Sequence, residues 1–232
     1  MGYLGSKAAS GAYQAIIALM PAHDTFVDLF VGSGVILSRK GAAVQSYAVD
    51  LDSEALRGVP DAPGLVKVCG HARTFLDGFD YAAAGRVLVY VDPPYLHSTR
   101  TSRQRYRYEM TDAEHGELLD RLRRIPAAVI LSGYPSPLYD SLLFDWKACE
   151  FQVMTRGGPR TEKLWFNFTP SHVHWASFAG QDFTDRQRIK RKAARWAANY
   201  RQLPPGERLA VLAALLEVHH SPSANDPKLG LD

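Results

Sequence analysis

Thr25-Phe26-Val27-Asp28-Leu29-Phe30-Val31-Gly32-Ser33-Gly34 is the stretch that decides the fold class. A short apolar, β-branched run gives way to a turn holding two glycines, and a helical segment at 35–40 follows at once. Strand, tight turn and helix in that order open an α/β unit. Glycine at such a turn lets the main chain approach a ligand with no Cβ in the way. Taken singly, the turn is weak evidence of a site, because phosphate and dinucleotide sites use similar turns.

Working outward, the same alternation repeats. Residues 45–49, 65–69, 87–91 and 127–132 are further short apolar runs bounded by Gly, Pro, Asp or Ser. Helices are predicted over 7–20, 53–59, 72–76 and 112–124, the last opened by Thr111 and Glu114 at capping-box spacing. Two late runs, 146–153 and 163–168, have no helix between them. They predict a closing antiparallel hairpin that turns near Gly157-Gly158-Pro159. The whole predicts an α/β, Rossmann-like, mostly parallel seven-stranded sheet covered on both faces.

The composition changes after about residue 180. Ile189, Ala193, Trp196, Ala197 and Tyr200 fall on one helical face, surrounded by Arg186, Arg188, Lys190, Arg191, Lys192 and Arg195. Leu203-Pro204-Pro205-Gly206 ends that helix, and a second begins near Pro205. Three parts are therefore expected: an α/β domain over 1–180, a basic C-terminal helical hairpin over 181–220, and a flexible polar tail over 221–232. If the chain self-associates, the hairpin is the expected interface.

With 232 residues, 46% hydrophobic and 22% charged, the chain has the balance of a globular protein rather than a disordered one. Its net charge of +3 is mild, so where the basic residues cluster matters more than their sum. Cys69 and Cys149 cannot build a disulfide framework, and no Cys/His spacing resembles a zinc site. No metal is expected. No apolar run reaches the length of a membrane span, and no signal-peptide pattern opens the chain, so a cytoplasmic location without a membrane partner is expected.

Asp92-Pro93-Pro94-Tyr95 follows directly on the apolar run 87–91. Ligands bind at the carboxyl ends of strands in open α/β sheets, so this tetrapeptide should face the site. Consecutive prolines fix φ, remove two donors and leave carbonyl oxygens free to accept. An adenine amino group calls for that environment, because its lone pair is delocalised into the ring and its nitrogen is a poor nucleophile. Two acceptors, the Asp92 carboxylate and the Pro93 carbonyl, favour the tetrahedral nitrogen of a transition state. Tyr95 offers a stacking surface for a base flipped out of a duplex. Asp50, ending the second strand, stands where ribose hydroxyls are commonly held, while Asp52 has the alternative of capping the helix that begins at Ser53.

In this order the motifs resemble the Dam-type adenine-N6 DNA methyltransferases, over roughly residues 1–170. Tyr3-Leu4-Gly5-Ser6-Lys7 is similar to that family's N-terminal motif, and Asp28, Phe30, Gly32, Ser33 and Gly34 to its glycine motif. Asp50 with Leu51 is similar to its ribose-binding segment, and Asp92–Tyr95 to its catalytic motif. Ile130-Leu131-Ser132-Gly133-Tyr134 and Leu164-Trp165-Phe166-Asn167 resemble later strands. The resemblance implies a class I methyltransferase fold and S-adenosylmethionine as cofactor, held by Tyr3, Lys7, Asp28, Phe30, Gly32–Gly34, Asp50, Leu51 and Asp92. It further implies methyl transfer to a flipped-out adenine in DNA, and a compact enzyme of this kind suits a phage or prophage, with or without a restriction partner.

Two departures stand out. The interval between Gly34 and Asp92 is filled by two strand–helix units, with almost no room for a target-recognition insert. His71 stands where the family often has an acid near the cofactor adenine, which makes it the candidate cofactor contact there. DNA contact is therefore expected from two other places. One is the segment after the catalytic motif, with Arg100, Arg103, Arg105, Tyr106, Arg107 and Tyr108, expected to be mobile without DNA; the other is the tail, with Arg188, Lys190, Arg191 and Lys192. The alternatives are methylation of adenine in RNA, and a catalytically silent DNA-binding module on the same fold.

Overall fold

The computed structural model describes Lys7 and residues 12–99, 107–155, 158–170 and 183–220. The strands are β1 (Thr25–Leu29), β2 (Gln45–Asp50), β3 (Leu65–Cys69), β4 (Val87–Val91), β5 (Ala128–Gly133), β6 (Lys147–Thr155) and β7 (Gly158–Phe166). They form one sheet in the order β3-β2-β1-β4-β5-β7-β6. Only β7 runs against the others, pairing antiparallel with β5 on one side and β6 on the other. This is the mostly parallel, Rossmann-like sheet with a closing hairpin that the alternation of runs predicts.

Helices α1 (Ala12–Leu19), α2 (Val35–Arg39), α3 (Ser53–Gly58), α4 (Ala72–Gly78), α5 (Asp112–Arg124) and α6 (Pro137–Leu142) cover the two faces. Along each strand alternate residues point to opposite faces. Phe26, Leu88, Tyr90, Ile130 and Leu164 pack with Ile16, Ile17, Met20 and Ile36 on one side. Val27, Val89, Val91, Val129 and Leu131 pack with Leu76, Leu118, Leu119 and Leu122 on the other. Each fully buried aliphatic side chain contributes roughly 1.5–3 kcal/mol relative to exposure.

The elements differ from the expected ones in a few places. The two hairpin strands are longer than the apolar runs, because β7 begins at Gly158 rather than Lys163 and its polar residues pair all the way to the turn. Helix α6 has no counterpart among the predicted elements, and Lys7 lies in a turn rather than in the first helix. The capping box is present: the Thr111 side chain accepts from the Glu114 N–H, and Glu114 reaches back to the Thr111 N–H at 2.8 Å. Residues 35–91 are consumed by α2 through β4 with short connections, so no inserted segment lies there.

The chain divides into two compact units, Met1–Ala179 and Gly180–Asp232. In the second, α7 (Phe183–Gln202) and α8 (Pro205–His220) are joined by a short break, and the Tyr200 hydroxyl donates to the Arg208 carbonyl at 2.9 Å. The apolar stripe of α7 is largely uncovered, with Trp196 60% exposed, and Leu209 of α8 is 70% exposed. Among the described residues no helix is long and apolar enough to cross a membrane.

Candidate functional site

The order of strands reverses between β1 and β4, which are adjacent while their connections run to opposite sides. A crevice opens outside the carboxyl ends of strands at such a switch point. Leu29 pairs with Val91, so both strands end level, and the Asp92 N–H lies 3.5 Å from the Leu29 carbonyl. The glycine turn after β1 and the Asp-Pro-Pro segment after β4 therefore flank one gap. Its walls include Phe30, Val31, Gly32, Ser33, Val35 and Ile36 from the turn and α2. Lys7, Asp28, Asp50, Asp52, Tyr90, Asp92, Pro93, Pro94, Arg107 and Tyr108 complete it.

The turn is conformationally unusual. Phe30 has φ 63°, the one non-glycine residue with positive φ among those described, and Gly32 and Gly34 follow at 48° and 65°. A bulky side chain held in the left-handed region stores strain, which is found disproportionately at ligand sites. Gly34 caps α2 with a left-handed backbone that disfavours a side chain, and a Cβ there would also approach the Val59 Cγ2 to 3.0 Å; it does not line the cleft.

Asp50 and Asp52, which compete for one role in the sequence, have separate tasks. The Asp50 carboxylate accepts from the Gly32 N–H at 2.9 Å and from the Asp52 N–H at 2.9 Å, tying the end of β2 to the glycine turn. Asp52 caps α3 by accepting from the Glu54 N–H at 2.9 Å. Its carboxylate also pairs with Arg107 at 3.0 Å. Burial pushes the Asp50 carboxyl above its ordinary value against the pull of those two backbone donors.

At the opposite wall lies a buried charged cluster. Lys7 Nζ is 2.9 Å from Asp92 Oδ1 and 3.4 Å from Glu162 Oε2. The Tyr95 hydroxyl donates to both Glu162 oxygens, at 3.1 and 2.9 Å, and accepts from Lys7. Lys7 is 5% exposed, while the Asp92 side chain keeps 17% open. Burial would draw the Lys7 ammonium down, but the charges of Asp92 and Glu162 outweigh it and hold it above the usual range. Burial raises the Asp92 carboxyl to about 6, with Glu162 adding to the rise and Lys7 opposing it. Asp28 is pushed well up by burial and by the neighbouring charges of Asp92 and Asp50. The Tyr90 hydroxyl, buried at the cleft wall, has no hydrogen-bond partner among the described residues.

Lys7, Asp28, Phe30, Gly32, Ser33, Asp50, Asp92, Pro93 and Pro94 thus meet at one cleft, as do Arg107 and Tyr108. Tyr95 is 7% exposed and lies behind it, edge-on to Tyr134 at 4.5 Å between ring centres. Leu51 and His71 do not line the cleft; His71 is exposed at the start of α4, where its side chain makes no cap. Arg188, Lys190, Arg191 and Lys192 belong to α7, with Arg188 paired to Asp185 at 2.6 Å. Tyr3, Arg100, Arg103, Arg105 and Tyr106 lie outside the described residues, as does the tail over 221–232. Sequence reasoning missed Tyr90 and Glu162; it set Asp52 against Asp50 for one role, with the helix cap as the alternative, and Asp52 both caps α3 and lines the cleft. Tyr90 was within reach, being two residues before Asp92 and so on the same face of β4.

Among the described residues, no group of three or more His, Cys, Asp or Glu is arranged to hold a metal ion. No family model and no curated protein matches the chain. Solved structures with a similar fold include SMU.776, a candidate methyltransferase complexed with SAH, at 12% identity over 66% of this chain and 47% of that one, TM-score 0.44. Others are a candidate RNA methyltransferase from Pyrococcus horikoshii and the SAM-dependent methyltransferase from Agrobacterium tumefaciens. The first has 14% identity over 72% of this chain and 90% of that one, TM-score 0.46. The second has 16% identity over 68% of this chain and 60% of that one, TM-score 0.45. The chain therefore spans about half the length of SMU.776. Likeness at this level carries no argument about the chemistry of this cleft.

Proposed function

We propose that this chain is an S-adenosylmethionine-dependent methyltransferase acting on the N6 amino group of adenine, with DNA as substrate. The observation that carries the reading is the meeting of Asp92, Pro93 and Pro94 with Gly32, Ser33 and Asp50 at a single cleft. Had the Asp92 carboxylate pointed away from the glycine turn, the reading would have failed.

The residues present fit the cofactor. A left-handed turn free of side chain at Gly32 admits close approach, and the Asp50 carboxylate stands beside it at the end of β2, where ribose hydroxyls are bound in related sheets. The buried Tyr90 hydroxyl supplies a polar atom still lacking a partner among the described residues. When bound, the cofactor supplies a methyl group already activated by its sulfonium. Asp92 and the Pro93 carbonyl accept the two amino hydrogens, orient the nitrogen lone pair and favour tetrahedral geometry. Methylation of the nitrogen would release one of its protons, and the Asp92 carboxylate would accept it. Holding both reactants in one cleft supplies much of the acceleration.

DNA as the substrate is supported by the basic side chains of α7 and by the arginines after the catalytic motif, which would neutralise phosphates. Replacing Asp92 by Ala should abolish methyl transfer while cofactor binding stays measurable by calorimetry. Normal turnover by that variant would strip Asp92 of its acceptor role. Incubation with labelled cofactor and matched pools of DNA, RNA and protein tests the acceptor: label in DNA is expected, and label in RNA alone would overturn the DNA assignment.

A further inference from the structure

Glu162 is a buried titratable group that the proposed reaction leaves without a task. It lies on β7, 5% exposed, opposite Phe151 of β6, and does not itself line the cleft. Burying a carboxylate costs several kcal/mol unless it is paired and hydrogen-bonded. Its two oxygens take the Tyr95 hydroxyl, and Lys7 and the Ser132 hydroxyl stand at 3.4 and 3.5 Å.

The charge count is what gives Glu162 meaning. Lys7 brings one positive charge, and Asp92, at 2.9 Å, already balances it. A Lys7–Asp92 pair without Glu162 would present a neutral wall to the cleft. Adding Glu162 makes the cluster net negative by one unit. Among the described residues, the other charges lining the cleft do not cancel this excess: Arg107 is matched by Asp52, burial holds the Asp28 carboxyl well above its ordinary value, and Asp50 adds a further carboxylate.

We propose that Glu162 is a positioning and specificity-determining residue that fixes Lys7 and Tyr95 and supplies the negative charge by which the cleft prefers a cationic cofactor to its neutral product. The inference rests on the reading of the cleft as an S-adenosylmethionine site. Methyl transfer turns a sulfonium into an uncharged thioether, S-adenosylhomocysteine, so a wall with an excess negative charge holds the first and releases the second. A carboxylate that only braced Tyr95 would affect both molecules alike.

The test compares affinities of the full chain for S-adenosylmethionine and S-adenosylhomocysteine by titration calorimetry, in the wild type, Glu162→Gln and Glu162→Asp. Glu162→Gln keeps the shape and removes the charge. It is expected to lower the preference for S-adenosylmethionine over S-adenosylhomocysteine by roughly three- to tenfold, as befits one partly screened charge. Glu162→Asp, which keeps the charge, should retain the wild-type preference even if both affinities drop. Equal losses for both ligands in Glu162→Gln, or no change for either, would overturn the inference. Should Glu162→Gln fail to fold, Glu162→Asp decides: a retained preference supports the charge, a lost one overturns it. If the wild type bound neither molecule, the cofactor reading would fall and take this inference with it, a result distinct from all the others.

Discussion

A carboxylate that accepts hydrogens from an amino group must be ionised, and Asp92 is held where ionisation is costly. Burial raises it to about 6, with Lys7 keeping it from rising further. Activity is therefore expected to fall on the acid side of about pH 6, approaching tenfold per pH unit, as Asp92 gains a proton and loses an acceptor. A kcat/KM profile measures this directly; a rate unchanged down to about pH 5 would separate Asp92 from the chemistry. Stability should run the other way. The folded carboxyl binds its proton more tightly than the unfolded one, with its ordinary value of 3.8, so this group's contribution declines as pH rises from about 4 to about 6. Tyr90 makes a second residue-scale case. Its hydroxyl is buried without a partner among the described residues, so Tyr90→Phe should leave stability unchanged or raise it by up to about 1 kcal/mol. The same change should weaken cofactor binding. A loss of stability in denaturant titration would show that the hydroxyl is satisfied within the folded chain.

At the scale of elements, the glycine turn and the helix caps make separable predictions. Gly32→Ala places a Cβ in a left-handed conformation at the cleft wall, a strain of roughly 1–2 kcal/mol, and should cost cofactor affinity as well as stability. Thr111→Ala should cost about 1 kcal/mol, read from the denaturation midpoint, because the Glu114 N–H loses its acceptor. Cofactor affinity should be unaffected by that change, since no residue of α5 lines the cleft; a drop would tie the cap to the site. Elements with a local signature were legible from sequence. The strands announce themselves as apolar runs between turn residues, and Thr111 with Glu114 marks the start of α5. Helix α6 carries no such mark: six residues opened by Ser136-Pro137 are too short for a period. Glu162 was illegible for a different reason. Only the pairing of β7 with β5 and β6 brings it to Lys7, 155 residues away in sequence.

For the whole molecule, the order of strands is what gathers the site. Lys7, the turn after β1, Asp50 at the end of β2 and Asp92 after β4 come from distant parts of the chain and converge because β1 and β4 are neighbours at the sheet's switch point. The motif order made that convergence readable in advance, whereas the fate of Tyr95, turned behind the cleft towards Glu162, depended on tertiary packing that no motif encodes. The second unit contributes charge. Lys190, Arg191 and Lys192 stand in succession on α7, so changing all three to Gln should weaken DNA binding and flatten the dependence of log K on log salt. The slope should fall by about 0.9 for each phosphate no longer neutralised. An unaltered slope would assign DNA binding to other parts of the chain.

Methylation-aware sequencing of DNA from cells expressing the protein, with the Asp92→Ala variant as control, puts adenine methylation to direct trial. N6-methyladenine should appear in the DNA of cells carrying the wild-type chain and not in those carrying the variant. DNA free of the mark in both, with active cofactor-binding protein present, would contradict the assignment of adenine in DNA as the acceptor.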